Sequence, residues 1–190
     1  MLHASRKTLA FAAGLAVSAL LACAAAPEGC FLAGNKPANY DTGVDKKTLY
    51  NGHVSAYLTA KSDSDGFGTL MQQFNAARYV GKRVRFSAWV KAEGVTRWSG
   101  LWLRIDGPSN QPLGFDNMQD RPIKGTAGWQ MYEVVLDVKE KATGVAFGIL
   151  LDGPGEVWIN SANLEVVDSV VPTTGKAIIQ DGPTNLSFDK

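Results

Sequence analysis

The chain has 190 residues, 45% hydrophobic and 19% charged, with a formal net charge of +1, 20 Gly, 8 Pro and 2 Cys. These proportions describe a globular protein of one domain's length and exclude a disordered or collagen-like chain. Near-neutral charge leaves no basic footprint for phosphates, so nucleic acid is not an expected partner, and two cysteines cannot brace a disulfide scaffold.

Residues 1–22 read as a secretory signal. Arg6 and Lys7 form a short positive region, and Thr8 to Leu21 runs TLAFAAGLAVSALL without a charge. That run is shorter than the roughly 20 apolar residues a membrane span needs. Leu20-Leu21-Ala22-Cys23 resembles a bacterial lipoprotein box, in which Cys23 would be lipidated and become the first residue. The competing route is ordinary cleavage within Ala22–Ala26, where Pro27 disfavours a cut after Ala26. The lipoprotein route is preferred. It predicts an exported, periplasmic or cell-envelope protein that meets the membrane only through a lipid anchor. Loss of the signal removes two basic residues and no acidic one, which turns the balance slightly acidic. Cys30 is then left without a cysteine partner and reads as a small residue at a strand start, since no basic cluster adjoins it to activate the thiol.

From Cys30 onward the apolar period is two. Gly52–Ala60 alternates Val54, Ala56 and Leu58 with Ser55, Tyr57 and Thr59. Phe67–Phe74 is a second strand. Lys82–Lys91 places Val84, Phe86, Ala88 and Val90 on one face and Arg83, Arg85, Ser87, Trp89 and Lys91 on the other. Trp98–Asp106 opposes Leu101, Leu103 and Ile105 to Trp102, Arg104 and Asp106. Trp129–Val138 carries Tyr132, Val134, Leu136 and Val138 on one side. Gly144–Leu151 is apolar on both faces, as an interior strand should be. Glu156–Val167 closes the series. Turn chemistry separates them at residues 62–66, Asp106-Gly107-Pro108, Gly125–Gly128 and residues 152–155. Only Asn75–Gly81 suits a helical turn. Strands at this spacing predict an all-β sandwich over residues 30–167. Residues 168–181 read as an extended linker within a C-terminal segment of 168–190.

The run Tyr79-Val80-Gly81-Lys82-Arg83-Val84-Arg85-Phe86-Ser87-Ala88-Trp89-Val90-Lys91 resembles a characteristic strand of jelly-roll carbohydrate-binding modules of the galactose-binding-like superfamily. Gly155–Asn160 followed by Asn163–Val166 resembles their closing strand, with Asn160 where Asp often stands. This resemblance covers residues 30–167 and implies a fold rather than a ligand. The segment Trp102–Gly125 is similar to a bacterial domain without a settled activity that occurs alone in exported proteins and fused to transcriptional regulators or peptidases. Those fusions imply sensing, binding or stabilising rather than catalysis. Pro183–Asp189 resembles the strand that opens such jelly rolls, so Asn185–Phe188 is a candidate to fill the first-strand slot, within the chain or in a neighbouring molecule, against the alternative of a frayed tail.

Signatures of nucleophilic or metal catalysis are missing: no GxSxG, HExxH, CxxC or P-loop occurs, and His53 is the sole histidine after the signal. Asp106, Asp116, Asp120, Glu133 and Asp137 are the carboxylates that would serve a glycoside hydrolase if two of them met. Within Asp116–Lys124, the groups Asp116, Asn117, Gln119, Asp120, Arg121 and Lys124 read either as a loop pinned by an Asp–Arg pair and Asx turns or as a protein contact. Asp41, Asp45, Asp63 and Asp65 are candidate oxygen donors for a structural Ca²⁺, but no EF-hand spacing is present and no metal site is assigned.

The strongest binding candidates are Arg85, Trp89, Trp98, Trp102, Arg104 and Glu133. If Lys82–Lys91 and Trp98–Asp106 are antiparallel neighbours, their indoles and guanidinium groups cluster, ready to stack on a sugar or aromatic ring and to hydrogen-bond it. The bland alternative is that the tryptophans are buried. The sequence therefore predicts a non-catalytic envelope module that binds a glycan or small molecule. An interaction module contacting an envelope protein partner is the alternative, and a carboxylate-dependent hydrolase is less favoured.

Overall fold

The computed structural model describes residues 25–61 and 65–175. Among them lie nine strands: β1 Phe31–Gly34, β2 Tyr40–Tyr50, β3 His53–Ala60, β4 Phe67–Asn75, β5 Arg83–Asp106, β6 Pro112–Asp116, β7 Ile123–Asp137, β8 Gly144–Asp152 and β9 Glu156–Val167. Every pairing is antiparallel. The path runs β1-β4-β8-β5-β9-β3-β2, with β6 and β7 also on β5. The segment read as a signal, Cys23, Asp63 and the candidate first-strand segment Asn185–Phe188 lie outside the described residues.

β5 is the hinge of the architecture. It is 24 residues long. Its first half pairs with β7 and β9, its second with β8 and β6. The sheet thereby curls into two layers, β2-β3-β9-β5-β7 and β1-β4-β8-β5-β6, and the expected jelly-roll sandwich is the observed fold. Lys82–Lys91 and Trp98–Asp106 are consequently one strand, not two antiparallel neighbours. Gly94, at φ +59°, bends it, and the ladder with β7 shifts register around that point.

Alternation along β5 puts Val84, Phe86, Ala88, Val90, Leu101, Leu103 and Ile105 into a shared core with Leu58 of β3 and Ile149 of β8. Phe86 and Phe147 meet edge-on at 4.8 Å. Tyr40, fully buried, donates its hydroxyl hydrogen to the Gly66 carbonyl at 2.5 Å and accepts from the Gly153 amide at 3.1 Å, which ties two turns to the core. β2 and β3 are joined by Asn51-Gly52, both at positive φ, the two-residue turn whose twist suits a hairpin. Single 3-10 turns form at Pro37–Asn39, Ala76–Arg78 and Pro108–Asn110; the second falls in the segment read as a helical turn. Gly125–Gly128 does not end a strand: it lies inside β7. Residues 168–175 do not hang free. Arg83 Nη1 donates to the Ser169 and Val171 carbonyls, each at 2.6 Å, and the Thr174 amide bonds the Val135 carbonyl at 2.9 Å. The segment therefore covers the open edge of β7.

Candidate functional site

The outer face of the β1-β4-β8-β5-β6 layer carries a groove of about 400 Å³. Register gives its floor in rows. Phe31, Met71, Gly148 and Trp102 lie side by side across β1, β4, β8 and β5. Gln73, Ala146, Arg104 and Phe115 form the next row, from β4 to β6. The small residues on β8 are buried at the centre, which lets the Trp102 indole lie across them, and larger residues wall the edges. Phe31 and Phe115 are 40% and 36% exposed. The Trp102 indole reaches from β5 over β8: its Nε1 donates to Thr69 Oγ1 on β4 at 2.7 Å, and that hydroxyl donates onward to the Ile149 carbonyl at 2.8 Å. Trp102 is nearly buried and forms a fixed floor with Met71, Ala146 and Leu150. Arg104 stands at one end, its Nε held by Asp106 at 2.9–3.1 Å.

Of the six residues expected to share one face, only Trp102 and Arg104 line this groove. Trp98 packs half-buried against the cluster beneath it. Arg85, Trp89 and Glu133 lie on the outer face of the other layer, because β5 crosses from one layer to the next. The expected convergence of Trp89 with Trp102 does not occur. Trp89 is stacked at 4.6 Å by Tyr50 from the β2–β3 hairpin, and Trp129 tilts against Tyr50 at 5.3 Å. The Arg85 guanidinium is shared between Glu165 at 2.7 Å and Glu133 at 3.4 Å. Lys91 sits 4.2 Å above the Trp158 ring, whose Nε1 donates to Asp45 at 2.9 Å. On that face Trp89 is half-buried under Tyr50, and Met131, opposite it on β7, is 58% exposed. The hydrogen bond from the Lys47 amide, with those of Thr48 and Trp158, lowers the Asp45 carboxyl to about 2.

The carboxylates considered for hydrolysis each carry an arginine. Asp106 holds Arg104, Asp137 holds Arg83 at 2.7 Å, Glu133 faces Arg85, and Asp116 and Asp120 share Arg121 at 2.6 and 2.9 Å. Burial raises the Asp116 carboxyl, but Arg121, Thr174 and the Met118 amide together pull it below the ordinary range, the opposite of what a general acid needs. Glu156 is the carboxyl pushed upward, mainly by burial and then by Asp45 and Glu93.

The Asp116–Lys124 loop is pinned as the Asp–Arg reading has it. Asx turns join Met118 to Asp116 at 2.9 Å and Gln119 to Asn117 at 3.2 Å. Asn117, Gln119 and Asp120 border a hollow closed on its far side by Thr174 and Gly175, and Lys124 is exposed. Asp41 and Asp65 are bound to Lys61 and Lys36 at 3.2 and 2.5 Å. Among the described residues no three acidic, His or Cys side chains gather as a metal site. His53 is exposed at the start of β3. The Cys30 thiol accepts from Gln72 Nε2 at 3.2 Å.

Sequence reasoning missed Phe31, Phe67, Thr69 and Phe115. The alternation Phe67, Thr69, Met71, Gln73 was a usable signal for one wall. What it lacked was the β4-β8-β5 order, which lets Trp102 reach Thr69.

No family model matches the chain. It is 42% identical over 168 residues to YbfP of Bacillus subtilis, an uncharacterised HTH-type transcriptional regulator, covering 86% of this chain and 57% of that protein. The chain thus spans little more than half of that relative. The CBM22-1 xylan-binding domain of Paenibacillus barcinonensis Xyn10C is similar in structure at TM-score 0.56 and 12% identity, over 77% of this chain and 91% of that one. The N-terminal CBM22-1-CBM22-2 tandem domain of the same Xyn10C gives 0.59 at 11%, over 76% and 42%. The enzymatically active domain of the tailspike protein 4 of bacteriophage CBA120 gives 0.52 at 12%, over 74% and 20%. At such identities the likeness is one of fold: the chain is a jelly-roll β-sandwich of the architecture used by carbohydrate-binding modules.

Proposed function

We propose that the chain is a non-catalytic binding module that takes a glycan or a small molecule in the groove floored by Trp102. The observation that carries this reading is the pair of exposed rings, Phe31 and Phe115, from the two edge strands of a hollow of ligand size. The carbohydrate-binding modules of like fold support it, and the similarity to a transcriptional regulator supports a sensing role. Full-length protein screened on a glycan array and a small-molecule panel is expected to give at least one binder whose affinity falls about tenfold in Phe115→Ala and Phe31→Ala. Trp89→Ala, on the outer face of the other layer, should leave it unchanged. Binding indifferent to both phenylalanines would overturn this assignment.

A contact between the pinned Asp116–Lys124 loop and an envelope protein is the second reading. The preorganised loop and its adjoining hollow favour it. Crosslinking to an envelope protein that Asn117 and Gln119 substitutions abolish, with silence on every array, would replace the first reading by this one. Hydrolysis has less support, since the carboxylates are held by arginines. Export and anchoring through Cys23 belong to the same proposal. Mass spectrometry of the membrane fraction is expected to find a diacylglyceryl group on Cys23 as the first residue; an unmodified start beyond Cys23 would refute it.

A further inference from the structure

The groove is polar at one end only. Thr69 is its central hydroxyl, and it is committed twice, accepting from Trp102 and donating to Ile149. The row through Met71 and Trp102 offers a ligand carbon alone. The adjacent row holds Gln73 and Arg104, on either side of the buried Ala146. Asp106 engages only the Nε side of Arg104; the two terminal amino groups donate to no partner among the described residues, and the side chain is 41% exposed. A chain of sugars needs hydrogen-bond partners along its whole length, because each hydroxyl desolvated without one is costly. This groove supplies free ones at its Gln73–Arg104 end, which favours a small-molecule ligand over a long glycan.

Resting on the reading of the groove as the binding site, we infer that its ligand is an amphiphilic monocarboxylate. A flat or extended apolar body lies over Trp102 between the phenylalanine walls. The carboxylate meets the free amino groups of Arg104 and the amide of Gln73. A planar guanidinium presents paired N–H groups in the spacing of carboxylate oxygens.

The test is calorimetric titration of the full chain with 4-phenylbutyrate, its neutral amide 4-phenylbutyramide, decanoate, and a neutral oligosaccharide, cellohexaose. The carboxylates should bind about tenfold or more tightly than the amide, and the gap should narrow as salt is raised. Arg104→Met alone would strand the buried Asp106, so the pair Arg104→Met/Asp106→Asn is used, with its melting curve recorded beside it. It should bring phenylbutyrate down to the level of the amide and leave the amide where it was. Phe115→Ala should weaken both. Equal affinity for acid and amide, or binding of cellohexaose but not of the acids, overturns the ligand class while the groove stands. Binding of any probe that ignores Phe115 and Phe31 overturns the groove itself.

Discussion

Gly148→Ala is expected to destabilise the protein by about 3 kcal/mol or more and to abolish binding in the groove. β8 runs between β4 and β5, and Gly148 faces Met71 on one side and Trp102 on the other. An ideal Cβ there would overlap the Leu70 carbonyl oxygen and lie 3.0 Å from Met71 Cβ. The obstacle is backbone in the neighbouring strand, so no side-chain rotation relieves it. Overpacking a well-packed interior costs about 1–3 kcal/mol and more when backbone must move. Here the shift also lifts the strand over which the Trp102 indole reaches, which strains its hydrogen bond to Thr69. Urea denaturation read by tryptophan fluorescence measures the loss. Gly128→Ala is the control: a Cβ there meets nothing within 4 Å, and its effect should stay within about 0.5 kcal/mol. Equal midpoints for Gly148→Ala and the parent would show that the layer yields at no cost, and the account of the groove floor would then be wrong.

The same strands show what a sequence can and cannot disclose. Alternation along Val84, Phe86, Ala88 and Val90, and again along Leu101, Leu103 and Ile105, marks the inward face correctly, because burial on one side of a pleated strand imposes a period of two whatever its neighbours are. It is silent on which strands those neighbours are. A bend at Gly94 inside one long strand and a loop between two short ones produce the same local pattern, so Trp89 and Trp102 looked adjacent when the chain carries them to different layers. β2 escaped notice for a related reason: its ladder with β3 slips between Asp45 and Tyr50, and the exposed Lys46 and Lys47 interrupt the apolar rhythm. Tyr50, which covers Trp89, was hidden with it. The Asp116–Arg121 pair was legible because its cause is local, five residues apart in the chain. The groove was not, since Phe31, Phe67, Trp102 and Phe115 come from four strands brought together by a long-range pairing order.

That local pair carries the second large effect. Arg121→Met should cost about 2–3 kcal/mol at neutral pH, the lower end of what stranding one buried partner costs, because the arginine is itself 35% exposed while the Asp116 side chain is only 5% exposed. The sign of the pH dependence follows from the folded carboxyl lying below its unfolded value. The pair's contribution is complete above an unfolded pKa of about 3.9 and is lost as pH falls through the folded value. Without the guanidinium the carboxyl keeps the upward push of burial and loses the downward pull of Arg121, so its folded value rises relative to the parent's. Its deficit against the parent should therefore be widest at neutrality and shrink as acid protonates the variant's carboxyl, vanishing once the pH has also fallen through the parent's lower folded value. Arg121→Met/Asp116→Asn, which removes the stranded charge and keeps the shape, should recover part of the loss at neutral pH and show little further change with acid. Thermal melts of the three proteins from neutral to acid pH test this, with the loop's hollow as witness: a deficit constant across pH would mean that Arg121 acts through packing on Glu133 and Asp120 rather than by holding the Asp116 charge.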